Sequence, residues 1–165
     1  MGEKPSLSDA AALLSLFIHK LMADRFPLEY ISTSAKETRR IGRELAQRLR
    51  PGDCVMLIGE LGAGKTTLLQ GIAEGLGVKE SVLSPSFILV REYKGRIPLY
   101  HFDAYRVRNP QELLEIGLDD YVLSEGIVAI EWGDKVKKLL PGCVEIKIEI
   151  VAEGHRKITV KSLKV

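Results

Sequence analysis

The chain has 165 residues and a mass of 18.3 kDa, the size of one ordinary domain that can bury about 69% of its surface without disulfides. Hydrophobic residues at 45% and charged residues at 28% exclude collagen, coiled coil and disorder. The 24 basic and 22 acidic residues leave a net charge of +2 and a pI near 8.5, so bulk charge selects neither a nucleic-acid coat nor a membrane-surface protein.

Residues 1–27 read as a helical extension. Ser8 can cap a helix running to about Ala23, with Leu13, Phe17 and Leu21 on one face and Leu14 and Ile18 beside them. Phe26-Pro27 closes it. The apolar run from Ala10 to Ile18 is broken by Ser15 and lacks the basic start of a signal peptide. No run of about 20 apolar residues could span a membrane.

The main body is expected over 28–165. Ser34-Ala-Lys-Glu37 is a capping box, and Ile41, Leu45 and Leu49 form the buried stripe of the helix it starts. Arg39, Arg40, Arg43, Arg48 and Arg50 decorate that helix as a solvated face. Cys54-Val-Met-Leu-Ile58 is a continuous apolar run, as in a strand covered on both faces. A helix follows from Lys65 to about Glu74. Phe87–Tyr93 and Ile97–Asp103 flank Lys94-Gly95-Arg96 as a hairpin. Asn109-Pro110 opens a helix that Gly117 ends. Ile127–Ile130 is a second buried strand, Asp134–Leu140 a short helix, and Val144–Val151 and Lys157–Leu163 a final pair of strands around Glu153-Gly154. Cys54 and Cys143 fall in apolar runs outside any CxxC, and read as buried small hydrophobes of a reducing compartment. The fold class is therefore α/β, with a mostly parallel central sheet that carries antiparallel edge strands.

The strongest chemical signal is Gly59-Glu60-Leu61-Gly62-Ala63-Gly64-Lys65-Thr66, which matches G-x-x-x-x-G-K-[ST] between a buried strand and a helix. At this composition, chance placement gives the pattern in about 1% of such chains. Glycines let backbone N–H groups approach phosphate oxygens, and the following helix presents its free N–H groups to the same anion. Lys65 is expected at the β- and γ-phosphates, Thr66 on Mg²⁺ and Thr67 near the α-phosphate. A metal-side acid is needed at the end of a neighbouring strand, and both Glu131 and Asp103 qualify. His101 shares the strand face of Asp103 and could equally be structural. No Asn-Lys-x-Asp guanine-reading segment is present, which favours ATP over GTP.

Five segments in order carry a resemblance: Gly59–Thr67, Ser84-Pro-Ser-Phe87, Tyr100-His-Phe-Asp-Ala-Tyr-Arg106, Glu112–Gly117 and Ile130-Glu-Trp132. Over roughly residues 28–160 the chain resembles the TsaE (YjeE) family, small bacterial P-loop ATPases of the pathway that makes threonylcarbamoyladenosine on tRNA. The resemblance implies an ATP–Mg²⁺ site in which Lys65 and Thr66 act within the loop. It places Ser86 in a switch-like segment facing the γ-phosphate and metal, and Trp132 near the nucleotide. Asp103 and Glu131 would bind Mg²⁺ through water or orient the attacking water. The family usually has Thr at the position of Ser86 and Pro at that of Gly133, so the loop after Trp132 is expected to be looser. It further implies a P-loop NTPase-like three-layer sandwich, a cytoplasmic setting, and TsaD-like and TsaB-like partners, with tRNA touched indirectly. No arginine can be placed as a finger, Arg106 included, so turnover by the lone chain is expected to be slow, and neither DNA nor membrane is an expected partner. A small-molecule kinase using Asp103 as base, and a nucleotide-controlled binding module, are the alternatives that the residues leave open.

Overall fold

The computed structural model describes residues 12–14, 25–84 and 88–163. All but three residues of the helix expected between Ser8 and Ala23 lie outside the described residues, as does Ser86. In chain order the elements are β1 (Leu28–Ser32), α1 (Ala35–Ala46), β2 (Cys54–Ile58), α2 (Lys65–Gly75), β3 (Val90–Tyr93), β4 (Leu99–Asp103), α3 (Gln111–Glu115), α4 (Leu118–Val122), β5 (Ile127–Glu131), β6 (Val144–Ala152) and β7 (His155–Ser162).

Among the described residues the strands form one seven-stranded sheet in the order β1-β7-β6-β2-β5-β4-β3. The inner strands β6, β2, β5 and β4 are parallel. β7 and β1 extend one side antiparallel, and β3 closes the other. Apolar residues on both faces of β2 and β5 explain why these strands are central. Val55, Leu57, Ile127 and Ala129 pack under α1 and α2 with Ile41, Leu45, Leu68 and Ile72. Met56, Val128 and Ile130 face the opposite layer with Leu113, Leu118 and Val136. Burying each large aliphatic side chain is worth about 1.5–3 kcal/mol, so the two layers hold the sheet from both sides. This is the expected three-layer α/β arrangement.

The start of α1 follows from its sequence. The Ser34 side chain accepts from the Glu37 backbone N–H at 3.1 Å. The Glu37 carboxylate accepts in return from the backbone and hydroxyl of Thr33, both at 2.8 Å, one residue earlier than a standard capping box. These bonds hold the Glu37 carboxyl below its ordinary value. Arg39 and Arg43 of α1 pair with Glu74 of α2, and Arg40 pairs with Glu37 and Glu44. They are exposed pairs, each contributing about 0–1 kcal/mol. Ahead of β1, Arg25 binds Asp53 at 2.7 Å and Phe26 is buried in the core.

Three expected elements differ. Asp134–Leu140 is not an α-helix: a single 3₁₀ turn covers Gly133–Lys135 and non-helical turns follow. Val136 and Leu140 still reach the core, but the segment is tied by side chains, with Lys135 on the carbonyls of Tyr105 and Val107 and Lys137 on Glu145. Pro141 also disfavours helical backbone at Leu140. The helix begun at Asn109-Pro110 is cut at Gly117, whose φ of 86° lets the chain turn directly into α4, a helix not foreseen. The hairpin strands are shorter than expected, starting at Val90 and Leu99. Cys54 and Cys143 are both buried and free. A hydrogen bond between their thiols, and then burial, hold Cys54 well above the ordinary thiol range, in keeping with an inert apolar role. Among the described residues no helix is long and apolar enough to cross a membrane.

Glu145 on β6 is buried yet ionic, held by Lys137 at 2.5 Å and Lys161 at 3.0 Å. Burial pushes its carboxyl up, but the two ammonium groups outweigh it and hold the group below its ordinary value. A carboxyl whose pKa falls on folding stabilises the fold above its unfolded value, about 4.3, and that contribution is lost as pH drops through the folded value. Glu145→Gln is therefore expected to cost about 1 kcal/mol at neutral pH, because both lysines remain partly exposed. Urea denaturation at a series of pH values checks this: the gap between wild type and variant should close below about pH 4.

Candidate functional site

The C-terminal ends of the parallel strands β2, β5 and β4 lie side by side, and an open α/β sheet binds ligands at that edge. β2 runs into the loop 59–64, and α2 starts at Lys65. Gly64 caps α2 with φ 107° and Gly62 has φ 78°. Left-handed backbone is costly for residues with a Cβ, so these glycines let the loop curl into the start of α2, whose first N–H groups have no partner within the helix and suit an anion.

A cleft of about 520 Å³ opens there. Leu61, Gly62, Gly64, Lys65, Thr66 and Thr67 supply one wall, and Ser84, Asp103, Tyr105, Arg106, Glu131 and Trp132 supply most of the other. The expected residues Glu60 and Ala63 belong to the loop without lining the cleft. Glu60 offers its carbonyl to Lys65, while Ala63 is fully buried. Asp103 and Glu131 occupy directly paired positions at the ends of β4 and β5, which brings both candidate acids to the cleft together.

Each polar group is held in place. Lys65 is buried, and its Nζ donates to the carbonyl oxygens of Gly59 at 2.7 Å and Glu60 at 2.8 Å. Burial pushes its ammonium below the ordinary lysine value, against the pull of Glu131, Asp103, Asp134 and Glu60. The Thr66 hydroxyl donates to Glu131 Oε1 at 3.0 Å, with Oε2 at 3.2 Å. Glu131 is itself buried, and His101 Nε2 lies 2.9 Å from its Oε1. Asp103 accepts from the Ser84 hydroxyl at 2.7 Å and from the Tyr105 backbone N–H at 2.9 Å.

Trp132 adopts φ 58°, ψ 39°, left-handed backbone that a non-glycine residue adopts at a cost of about 1–3 kcal/mol. Its ring covers the Lys65 ammonium, Nζ lying 4.0 Å from the centroid, and stands 5.0 Å from the Tyr105 ring. The following Gly133 packs so tightly that an added Cβ would lie 2.5 Å from Met56 Cβ. The expected looseness of this loop is therefore absent: the missing side chain at Gly133 lets the loop close onto β2 and fixes the Trp132 ring.

Three contributors were not singled out as site residues from sequence. Tyr105 lies two residues beyond Asp103, and Ser84 opens the quoted Ser84–Phe87 segment 19 positions before it, so membership of the quoted motifs was the available signal. Arg156 of β7 had none. Its Nε donates to the Ala63 carbonyl at 2.9 Å and its Nη2 to that of Gly62 at 3.3 Å, so a residue 94 positions beyond Gly62 braces the loop from outside.

Comparison with known proteins identifies the family. A sequence model of the family described as "Threonylcarbamoyl adenosine biosynthesis protein TsaE" matches residues 32–158. The tRNA threonylcarbamoyladenosine biosynthesis protein TsaE of Treponema pallidum is 41% identical over 131 residues, 79% of this chain and 97% of that protein. Those of Bacillus subtilis and Streptomyces coelicolor are 39% and 43% identical, covering 80% and 76% of this chain and 84% and 90% of the relatives. The crystal structure of Bacillus subtilis YdiB superposes with a TM-score of 0.69 at 34% identity, over 84% of this chain and 86% of that one. Matched along its main body in both sequence and fold, the chain belongs to the TsaE family of tRNA threonylcarbamoyladenosine biosynthesis proteins.

Proposed function

We propose that this chain binds ATP with Mg²⁺ in the cleft between the loop 59–64 and the ends of β4 and β5. It hydrolyses that ATP slowly alone, and faster in a cytoplasmic complex with TsaD-like and TsaB-like proteins whose product is made on tRNA. The observation that carries this reading is the contact of the Thr66 hydroxyl with Glu131. It joins the hydroxyl at the phosphate end of α2 to an acid from the neighbouring strand, the pairing a nucleotide-bound metal needs.

The donor set suits Mg²⁺. Thr66, Glu131 and Asp103 offer hard oxygens, and the family resemblance implies the Ser86 hydroxyl as a further one. Among the described residues no cluster of three or more His, Cys, Asp or Glu could hold a metal unaided, and Mg²⁺ characteristically completes its shell with water and phosphate. Bound there, the ion would offset phosphate charge and orient the terminal phosphoryl group. Lys65 exchanges the carbonyls of Gly59 and Glu60 for β- and γ-phosphate oxygens, and Thr67 lies towards the α-phosphate. Glu131 holds the metal side with Thr66, and Asp103, fixed by Ser84 and Tyr105, orients the attacking water.

The rim supports the reading that partners complete the site. Leu61, Ile88 and Tyr105 are 78%, 56% and 51% exposed, so the cleft lies open to bulk water. Excluding that water strengthens charge stabilisation at a transferring phosphoryl group, and an apolar rim suits closure by a second protein.

Single-turnover ADP formation, run beside calorimetry of ATP binding, tests the chemistry. Glu131→Gln is expected to slow hydrolysis about 100-fold or more while ATP affinity changes by less than about threefold. Lys65→Ala is expected to weaken ATP binding itself at least about tenfold, the equivalent of one lost charge-assisted contact. Co-purification tests the setting: the chain should capture a TsaD-like–TsaB-like pair and turn over ATP faster within it. ADP that forms only when a small metabolite is added would favour a kinase. Pathway function that survives Glu131→Gln would favour a nucleotide-controlled module.

A further inference from the structure

His101 is fully buried at the centre of β4, and the roles proposed for the cleft leave it unused. A buried imidazole must account for two ring nitrogens. Nε2 lies 2.9 Å from Glu131 Oε1, the same oxygen that the Thr66 hydroxyl meets at 3.0 Å. Nδ1 has no hydrogen-bond partner among the described residues, and neither does the buried Nε of Arg91. Arg91 is the direct partner of His101 in the antiparallel β3–β4 ladder, so the two side chains rise from the same face. A guanidinium is always protonated and can only donate. A carboxylate can only accept, so the imidazole proton belongs on Nε2, aimed at Glu131, and the lone pair on Nδ1.

Glu131 ends β5 with a side chain that can rotate. The Thr66 hydroxyl alone does not fix it, since that hydroxyl is 3.0 Å from one carboxylate oxygen and 3.2 Å from the other. A second donor on Oε1 selects one orientation and leaves Oε2 as the less encumbered oxygen. We infer that His101 is the positioning residue of this site: it donates from Nε2 to Glu131 and fixes which carboxylate oxygen is offered to the metal side of the cleft. A histidine used this way belongs in the core, where packing locks its ring, and it sits one strand away from the carboxylate that it serves.

Two measurements test this. The first needs neither nucleotide nor activity. In the nitrogen-15 imidazole spectrum of the intact chain at neutral pH, His101 should carry its proton on Nε2, and that resonance should move in Glu131→Gln. A proton on Nδ1, or a resonance indifferent to Glu131→Gln, overturns the assignment. The second rests on the hydrolysis proposed above and compares His101→Leu, which keeps volume without a donor, with His101→Gln, whose amide can donate from nearly the Nε2 position. His101→Leu should lower kcat about 10- to 100-fold with KM for ATP within about threefold, and His101→Gln should recover most of the rate. Wild-type kcat in His101→Leu, or equal loss in both variants, overturns the role. A wild-type chain that forms no ADP would count against the proposed hydrolysis, while the spectrum would still decide the case of His101.

Discussion

The Thr66 hydroxyl donates to the Glu131 carboxylate, at 3.0 and 3.2 Å, and most of the site depends on that contact. It joins the first turn of α2 to the end of β5, two elements 65 positions apart in sequence. The contact exists because β2 and β5 are parallel and in register, Leu57 opposite Glu131, so the loop leaving β2 curls back past the last residue of β5. Antiparallel strands would separate the two groups by the length of the sheet. The same alignment brings Asp103 to the cleft, since β4 runs parallel to β5 with Asp103 beside Glu131.

The surroundings of this contact divide between rigid and open parts. On the core side, Lys65, His101 and Glu131 are buried, Gly133 is pressed against Met56, and Arg156 braces the loop through the carbonyls of Gly62 and Ala63. On the solvent side, Leu61, Ile88 and Tyr105 are more than half exposed. Among the described residues a preorganised interior therefore meets an exposed, partly apolar rim. Membership of the TsaE family places the chain in tRNA threonylcarbamoyladenosine biosynthesis.

Much of this was legible in the sequence because the underlying signals are local. The apolar run of β2, the glycines and Lys65-Thr66 that follow it, and the Ser34–Glu37 cap each lie within a few residues. Their physics is that of one strand, one turn or one helix start. The candidate acids were readable as polar residues closing apolar strands. Legibility failed where long-range contacts overrode local preference. The 134–140 segment has helix-forming composition, but the left-handed turn at Trp132 and the ties of Lys135 and Lys137 to distant partners left it a single 3₁₀ turn. Arg156 could not be found because nothing near Gly154 in sequence announces that its neighbour meets the loop at Gly62. His101 was visible as a residue sharing a face with Asp103, but its partner Glu131 is 30 positions away.

The central claim is that this loop grips the triphosphate of ATP, and Trp132 reports on it directly. It is the chain's one tryptophan, and the Lys65 ammonium lies 4.0 Å from its ring centroid. Phosphate binding should draw that ammonium away from the indole. Titrating the intact chain with ATP and Mg²⁺ should therefore give a saturable change in tryptophan emission, lost in Lys65→Ala and reversed by chelating the metal. An emission spectrum unmoved by saturating ATP and Mg²⁺, with no heat of binding in the same solution, would contradict the account.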